Sequence, residues 1–457
     1  MEQIVSLAKR RGFIFPSSEI YGGIGGFWDW GPIGAELKNN IKRAWWKEIV
    51  YKHNNIVGLD SSIIMNPKVW EASGHTTQFA DPMVDCKKCK KRFRADHLIE
   101  SLRKEEEGVT TSADIFKLKK ALKKVKCPEC KGELTEPKRF NLMFKTYTGP
   151  VEDTSSLTYL RPETCQGIFV NFDTIRQTMR LKIPFGIAQI GKAFRNEVTP
   201  SDFVFRSREF EQVELEFFVN PKEDEKWFKF WQKERLNWFL NLGIKKENLR
   251  LRDHKKDELA HYAKSAVDIE YRFPFGWREL EGVANRTDYD LKKHSEVSGK
   301  DLSYFNEGTS QKYIPYVIEP SLGIERAALV FILDAYDEDE AKTAEGKKEK
   351  RVVLRFHKDI APYQVAVLPL SNHKDLVPVA KKVWEDIRDV FRTRYDETQS
   401  IGKRYRRQDE IGTPYCVTVD FETLKDKAVT IRDRDTMKQK RVKIVDLKVV
   451  LSNKFEK

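Results

Sequence analysis

The chain has 457 residues, 40% of them hydrophobic, enough for two or three domains with cores of their own and too many for a small stapled scaffold. Lys and Arg number 83 against 70 Asp and Glu, a net charge of +13 that favours polyanionic partners such as nucleic acid or nucleotides. Apolar runs stay far short of the roughly 20 residues of a membrane helix and the N-terminus lacks a signal-type apolar core, so a cytoplasmic protein with no membrane part is expected.

Residues Met1 to Gly12 can form a short amphipathic helix, and the Gly-, Trp- and Asp-rich stretch Tyr21 to Gly34 reads as loop or turn. From about Ile33 to Lys52 the apolar positions Leu37, Ile41, Ala44, Trp45 and Ile49 recur at three- and four-residue steps, which predicts a helix with one buried face. Cys86-x-x-Cys89 and Cys127-x-x-Cys130 bracket a Lys- and Glu-rich stretch in which Leu98, Leu102, Ile115, Leu118 and Leu122 keep helical spacing, the pattern of a small inserted module. Two such thiol pairs suit a tetrahedral zinc ion in a reducing compartment, although 37 intervening residues exceed the usual zinc-ribbon gap.

From Arg139 to Ile332 the pattern turns strand-like at Phe185 to Ile190, Glu211 to Val219 and Tyr313 to Ile318, with an aromatic-rich helix near Trp227 to Leu240, predicting α+β with an antiparallel sheet. The charged run Asp337 to Lys350 reads as an exposed connection. Beyond it, a strand at Pro362 to Leu370, a helix over Leu376 to Tyr395 and strands at Tyr415 to Asp420 and Ala428 to Arg432 suggest a compact α/β domain.

The Gly cluster Gly22 to Gly34 is followed by neither Lys-Ser nor Lys-Thr and is not set in a β-α-β unit, which excludes a Walker loop and disfavours a dinucleotide fold. Phe194-Arg195-Asn196-Glu197, a polar loop and Phe205-Arg206-Ser207-Arg208-Glu209-Phe210-Glu211-Gln212 read instead as a strand–loop–strand hairpin. Two residues apart in a strand share a face, so Arg195 can hold a phosphate while Glu197 accepts from a base and Phe210 stacks on it. In Glu319-Pro320-Ser321-Leu322-Gly323-Ile324-Glu325-Arg326, Gly323 admits close approach and Arg326 falls in the first turn of the helix that follows, facing an anion.

Together these segments resemble the class II aminoacyl-tRNA synthetases, and the resemblance narrows to the dimeric glycine enzymes. It also covers Tyr21 to Gly34, Trp70-Glu71-Ala72-Ser73-Gly74-His75, Asn141 to Phe144, Arg161 to Thr164, Gly282 to Asp290 and Lys403 to Glu410. The class I signatures are absent from the sequence. The resemblance implies a catalytic domain over 1–350, built on a six-stranded antiparallel sheet flanked by helices. Motif 1 spans about 33–67, motif 2 about 194–219 and motif 3 about 319–336. A zinc-ribbon-like insertion occupies 86–130, and an α/β anticodon-binding domain 351–457.

The implied chemistry is ATP- and Mg²⁺-dependent formation of glycyl adenylate, then transfer to tRNA(Gly) by a homodimer. Arg195, Glu197 and Arg326 are the expected catalytic residues. ATP is expected to meet Arg195 to Glu197, Phe205 to Phe210, Glu279 with Leu280, and Gly323 to Arg326, with Glu279 holding the Mg²⁺. Glycine is expected among Arg94, Glu163, Phe210, Glu211, Gln212, Val213, Glu214, Arg286, Glu319, Pro320, Ser321, Leu322 and Gly323. The tRNA contact is expected at Lys403, Arg404, Tyr405, Arg406 and Arg407, and structural zinc at Cys86, Cys89, Cys127 and Cys130. Glycine selection is then steric, because a pocket closed by Ser321 refuses larger side chains without editing. A non-catalytic relative should have lost its phosphate arginines, and Arg195 and Arg326 are present.

Overall fold

The computed structural model describes residues 1–95, 98–99, 119, 121–122, 125–198, 200–342 and 348–456. The sites sit on a seven-stranded sheet of β1 (Ile56–Leu59), β2 (Phe185–Phe194), β3 (Glu209–Val219), β4 (Leu249–Asp253), β5 (Ser265–Phe273), β6 (Gly276–Thr287) and β7 (Tyr316–Gly323), in the order β4-β5-β6-β7-β3-β2-β1. Six strands pair antiparallel as expected; the seventh, β1, adds to the edge of β2 in parallel.

Strand alternation divides this sheet into two faces. Val213, Leu215 and Phe217 of β3 and Ile318 and Leu322 of β7 point into the main core, which is closed by three helices, α1 (Pro32–Trp46), α3 (Asp224–Asn241) and α5 (Ile324–Ala335). Helix α1 forms where the sequence places it, Pro32 starting it and Leu37, Ile41 and Trp45 making its buried stripe. It continues as a π-helical turn over Lys47–Tyr51. On the other face, α2 (Cys165–Thr178) and α4 (Tyr289–Ser298) cover one end of the sheet, where Phe169 and Phe172 pack with Phe185 and Phe218. The remaining end of that face stays open as a cleft.

The Gly-rich segment is a mostly exposed turn over 21–25 and then a short strand, Trp28–Trp30, paired with Ile14–Pro16. A Cβ on Gly34 would lie 2.0 Å from the Phe13 carbonyl oxygen, so only glycine lets α1 start against the N-terminal segment. In the insertion, Ala80–Asp85, Arg92–Arg94 and Lys138–Asn141 form a small sheet, with Val84, Ala95, Leu98, Ile99 and Leu122 as its core. The helical spacing expected around Leu102, Ile115 and Leu118 lies outside the described residues.

Two expectations need correction. The charged run after α5 is a β-hairpin, Tyr336–Lys342 pairing with Lys348–Leu354, in which opposite charges meet diagonally across the strands: Glu338 with Lys350 (3.1 Å) and Glu340 with Lys348 (2.7 Å). The C-terminal helix α6 (Leu376–Ile387) ends well before Tyr395, and Thr393–Tyr395 instead makes a strand parallel to Val365–Pro369. That domain is a five-stranded mixed sheet with α6, α7 (Ile401–Ile411) and α8 (Leu447–Glu456) around a core of its own. Among the described residues no helix is long and apolar enough to cross a membrane.

Candidate active site

The cleft on the open face encloses about 250 Å³ and is lined by residues of all the expected segments: Arg195, Glu197, Phe205, Arg206, Ser207 and Phe210, then Glu279, Gly323, Glu325 and Arg326, joined by Val204, Gln212 and Ser321. Arg195 and Glu197 lie just past the end of β2 rather than within it, and Glu197 N–H folds back to the Arg195 carbonyl at 2.6 Å. A turn, not strand alternation, brings both side chains to the cleft. Arg195 Nε donates to the Pro162 carbonyl at 3.0 Å, and its guanidinium stands 5.4 Å from the Phe210 ring centroid and 5.5 Å from that of Phe79.

Across the cleft Arg326 lies 4.4 Å from the Phe205 ring centroid and pairs with Glu279 Oε1 at 3.1 Å, donating also to the Glu279 carbonyl at 3.0 Å. Arg326 holds the Glu279 carboxyl below its ordinary range. Glu279 reaches this face because β6 bulges: Glu279 opposes Glu270 while Glu281 opposes Ile269, leaving Leu280 as the extra residue. Asp268, which the sequence did not single out, lies beside it. A Cβ on Gly282 would sit 3.9 Å from an oxygen of each carboxylate. Burial and then Glu279 push the Asp268 carboxyl up to about 6.

Other expected ATP residues act around the cleft rather than in it. Arg208 ties the Gly-rich turn to the motif 2 loop, donating to the Gly25 carbonyl at 2.9 Å and the Glu197 carbonyl at 2.8 Å. Asn196 N–H bonds Leu142, Glu209 pairs with Lys192 at 2.7 Å, and Leu280 and Ile324 are buried in the core. Beneath the cleft Lys38 of α1 clamps Glu325 (2.5 Å) and Glu211 (2.6 Å), joining the three motif segments. Glu325 also accepts the Glu211 N–H at 2.8 Å. Glu211 therefore faces α1, not a substrate.

Gln212 and Ser321 lead into an inner pocket. Both donate to Glu214 Oε1 at 2.8 Å, and Thr164 donates its N–H (2.9 Å) and its hydroxyl to Oε2. Glu163 accepts from Cys165 (2.9 Å) and Gln166 (3.0 Å) and lies 3.4 Å from His75 Nε2. Arg286 donates to both oxygens of Asp290 (2.8 and 2.9 Å) and to Glu319 at 2.7 Å, with its guanidinium 3.9 Å from the Tyr262 ring centroid. Three of its five N–H donors are thus engaged by carboxylates, leaving two for the substrate carboxylate contact expected of it. Burial would raise the Glu163 carboxyl, but His75 and Arg286 hold it well below the ordinary range; burial drives Glu319 up to about 8 against the pull of Arg286. The acids outnumber the arginine and histidine among them, a surplus of negative charge that favours a small cation.

Val213, Pro320 and Leu322 point to the opposite, buried face of the sheet, so strand alternation removes them from the pocket. Arg94 lies on the insertion sheet, paired with Asp81 at 2.9 Å, and does not line the cleft. His75, Thr164 and Asp290 fell within stretches that carry the resemblance but had no role assigned, and Gln166 lay outside them; their bonds arise from distant segments meeting over β3 and β7.

Cys86, Cys89, Cys127 and Cys130 do converge despite their wide spacing. Their sulfurs all lie within 4.8 Å of one another, with Sγ–Sγ distances of 3.4 Å (Cys86–Cys130) and 3.7 Å (Cys89–Cys127). Four thiolates about 2.3 Å from a tetrahedral ion stand about 3.8 Å apart, so the donor set fits zinc.

The C-terminal basic cluster divides. Arg404 is buried, and its guanidinium donates to the carbonyls of Pro369, Glu397 (2.5 Å), Thr398 (3.2 Å) and Gln399 (2.6 Å) and to Asn372 at 2.9 Å. Tyr405 donates or accepts at Thr418 and lies under Arg432, so its ring is not a free stacking surface. Arg407 bonds Asp396 and Arg406 pairs with Glu349. Lys403 is the exposed member with no partner seen among the described residues.

Residues 144–336 match the profile of the tRNA synthetase class II core domain (G, H, P, S and T), 81–125 that of glycyl-tRNA synthetase insertion domain 1, and 364–454 that of an anticodon binding domain. The chain is 58% identical to the glycine–tRNA ligase of Acetivibrio thermocellus, with 100% of this chain and 98% of that protein covered. It is 57% identical to that of Clostridium acetobutylicum (100% and 99%) and 54% identical to that of Thermobifida fusca (100% and 98%). Identity of this extent, running through cleft, insertion and C-terminal domain alike, places the chain in the glycine–tRNA ligase family of class II aminoacyl-tRNA synthetases.

Proposed function

We propose that the chain activates glycine with ATP and transfers it to the terminal adenosine of tRNA(Gly). The observation that carries this reading is that Gln212 and Ser321, which line the same cleft as Arg195 and Arg326, both donate to Glu214, one of the cluster of acids behind them. Glycine fits such a pocket: Glu163, Glu214 and Glu319 receive its ammonium, and Ser321 leaves no room for a side chain. Its carboxylate, already ionised, attacks the α-phosphorus of ATP; the new O–P bond forms as the bond to pyrophosphate breaks, and no protein nucleophile or general base is needed. Arg195 neutralises charge on the α-phosphate and Arg326 on the γ-phosphate end, while Phe210 and Glu197 meet adenine. Glu279, with Asp268 beside it, suits a Mg²⁺ ion, whose contribution is to neutralise phosphate charge. In the second step a ribose hydroxyl of the tRNA attacks the glycyl carbonyl and AMP leaves.

The four cysteines hold a structural zinc that staples the insertion to the sheet at Ala80–Asp85. The C-terminal domain binds the anticodon region, with Lys403 the cation best placed for phosphate. Two copies pair through the motif 1 helix and the edge strand β1, where Tyr51 is 75% exposed. ATP–pyrophosphate exchange across all twenty amino acids tests the assignment: exchange with glycine alone is expected. Exchange with a different amino acid would overturn the pocket assignment, and none at all would overturn the activity.

A further inference from the structure

The register of the central strands sets two acids face to face. Glu214 lies opposite Ser321 and Phe217 opposite Ile318, so Glu216, on the pocket face of β3, falls beside Glu319 of β7. Like charges opposed across a ladder repel. Glu319 has Arg286 as counterion at 2.7 Å. Glu216 has none: its side chain is 0% exposed and neither carboxyl oxygen has a hydrogen-bond partner among the described residues.

The groups facing Glu216 come from every element around it. They are Glu214 on its own strand, Glu319 from β7, Arg286 from β6, Asp290 from α4 and Cys165 from α2; the Cys165 sulfur and an oxygen of Glu319 lie within 4.8 Å of its carboxyl. The single positive charge in this set, Arg286, is already shared between Asp290 and Glu319. An ionised Glu216 would be a buried anion with no counterion of its own. Burial and then Glu319 push its carboxyl well above the ordinary range.

We infer that Glu216 is a further substrate-positioning residue, a neutral acid beneath the amino-acid pocket that ionises when the substrate's ammonium arrives above Glu214 and Glu319. The inference rests on reading this pocket as the glycine site. One O–H bond breaks: the carboxylic acid becomes a carboxylate facing the ammonium, and its proton leaves to the buffer. No other bond changes. The empty pocket thereby avoids excess negative charge, and the occupied one gains an anion where the cation sits. A neutral isostere of glycine would not drive the ionisation, so the device favours substrates carrying an ammonium.

The test is calorimetric titration of glycine into the full-length protein at about pH 7.5, in phosphate and in Tris. Release of a proton should make binding more exothermic in Tris, whose protonation gives out much more heat. In Glu216→Gln the difference between the buffers should shrink to the share that Glu319 releases. The variant's glycine affinity should fall about five- to tenfold at about pH 8 and approach the parent's towards about pH 6, where both side chains are neutral. The same loss should appear in KM for glycine during exchange.

Equal enthalpies in the parent protein, or a buffer dependence undiminished in Glu216→Gln, would overturn the inference. So would buffer-independent heats accompanied by a second bound divalent metal, since a cation would then replace the proton in the Cys165–Glu216–Glu319 cluster. If the variant does not fold, infrared difference spectra of the parent decide: a protonated-carboxyl band should disappear on adding glycine, and its persistence is refuting. Absence of any glycine heat would instead overturn the glycine reading itself, and this inference with it.

Discussion

Lys38→Met should loosen the base of the cleft by a calculable amount. Lys38 is 7% exposed and lies 2.5 Å from Glu325 and 2.6 Å from Glu211, which are 5% and 15% exposed. Burial opposes charge on both sides of this cluster, yet the acids hold the Lys38 ammonium above its ordinary range, and Lys38 with Lys42 holds Glu211 down to about 2. The fall of Glu211 from 4.5 to about 2 corresponds to about 3 kcal/mol. Breaking a buried pair by removing one partner independently suggests about 3–5 kcal/mol. Urea unfolding near pH 7 should therefore show the variant about 3 kcal/mol less stable. The sign with pH follows from the depressed acid: its contribution is present above 4.5 and lost as pH falls through about 2, so the gap should narrow as acid is added. A gap below about 1 kcal/mol, or one indifferent to pH, would refute the clamp.

Arg326→Ala should lower glycine-dependent exchange by about a hundredfold or more while leaving the circular dichroism spectrum unchanged. Elemental analysis should find about one zinc per chain, and Cys127→Ser should lose the metal together with resistance of the insertion to protease. Arg235 and Glu281, both 0% exposed and 2.6 Å apart, should cost about 3–5 kcal/mol when either alone is replaced by Met or Leu. The double replacement should recover most of that loss in urea midpoint. Arg404→Ala should lower the melting temperature of the C-terminal domain, while Lys403→Ala should leave it unchanged and weaken tRNA binding in a salt-dependent filter assay.

Much of this was readable from local pattern. The α1 stripe, the β2–β3 hairpin and the helix after Gly323 follow from periodicity and from glycine placement, and the main cleft arginines lie where those elements bring them. What escaped the sequence reading depended on chain segments meeting across the fold. Glu279 was expected at the ATP site from the family resemblance and does line the cleft, but the one-residue bulge that turns it there is not visible in residue spacing. The ties of Arg286 to Asp290 and Glu319, which join three segments of the chain, were not visible in its sequence neighbourhood. The basic string Lys403 to Arg407 looked like a polyanion surface because a helix interleaves inward and outward residues, and burial of Arg404 depends on carbonyls from elsewhere in its domain.

The hairpin between α5 and the C-terminal domain changes where the protein can be cut. Arg351, on its second strand, is buried and bonds Asp339 on the first, Asp409 on α7 and the Arg434 carbonyl. Arg355 adds Asp337, Asp339 and Asp435. The hairpin's inner strand is thus half-owned by the domain that follows. A chimera that exchanges C-terminal domains at residue 350 would part Arg351 and Arg355 from Asp337 and Asp339 on the first strand, whereas a junction at Tyr336 would carry the whole strut across. Exchange of this domain between relatives is therefore expected to succeed with the hairpin as part of the cargo, and to yield insoluble protein without it.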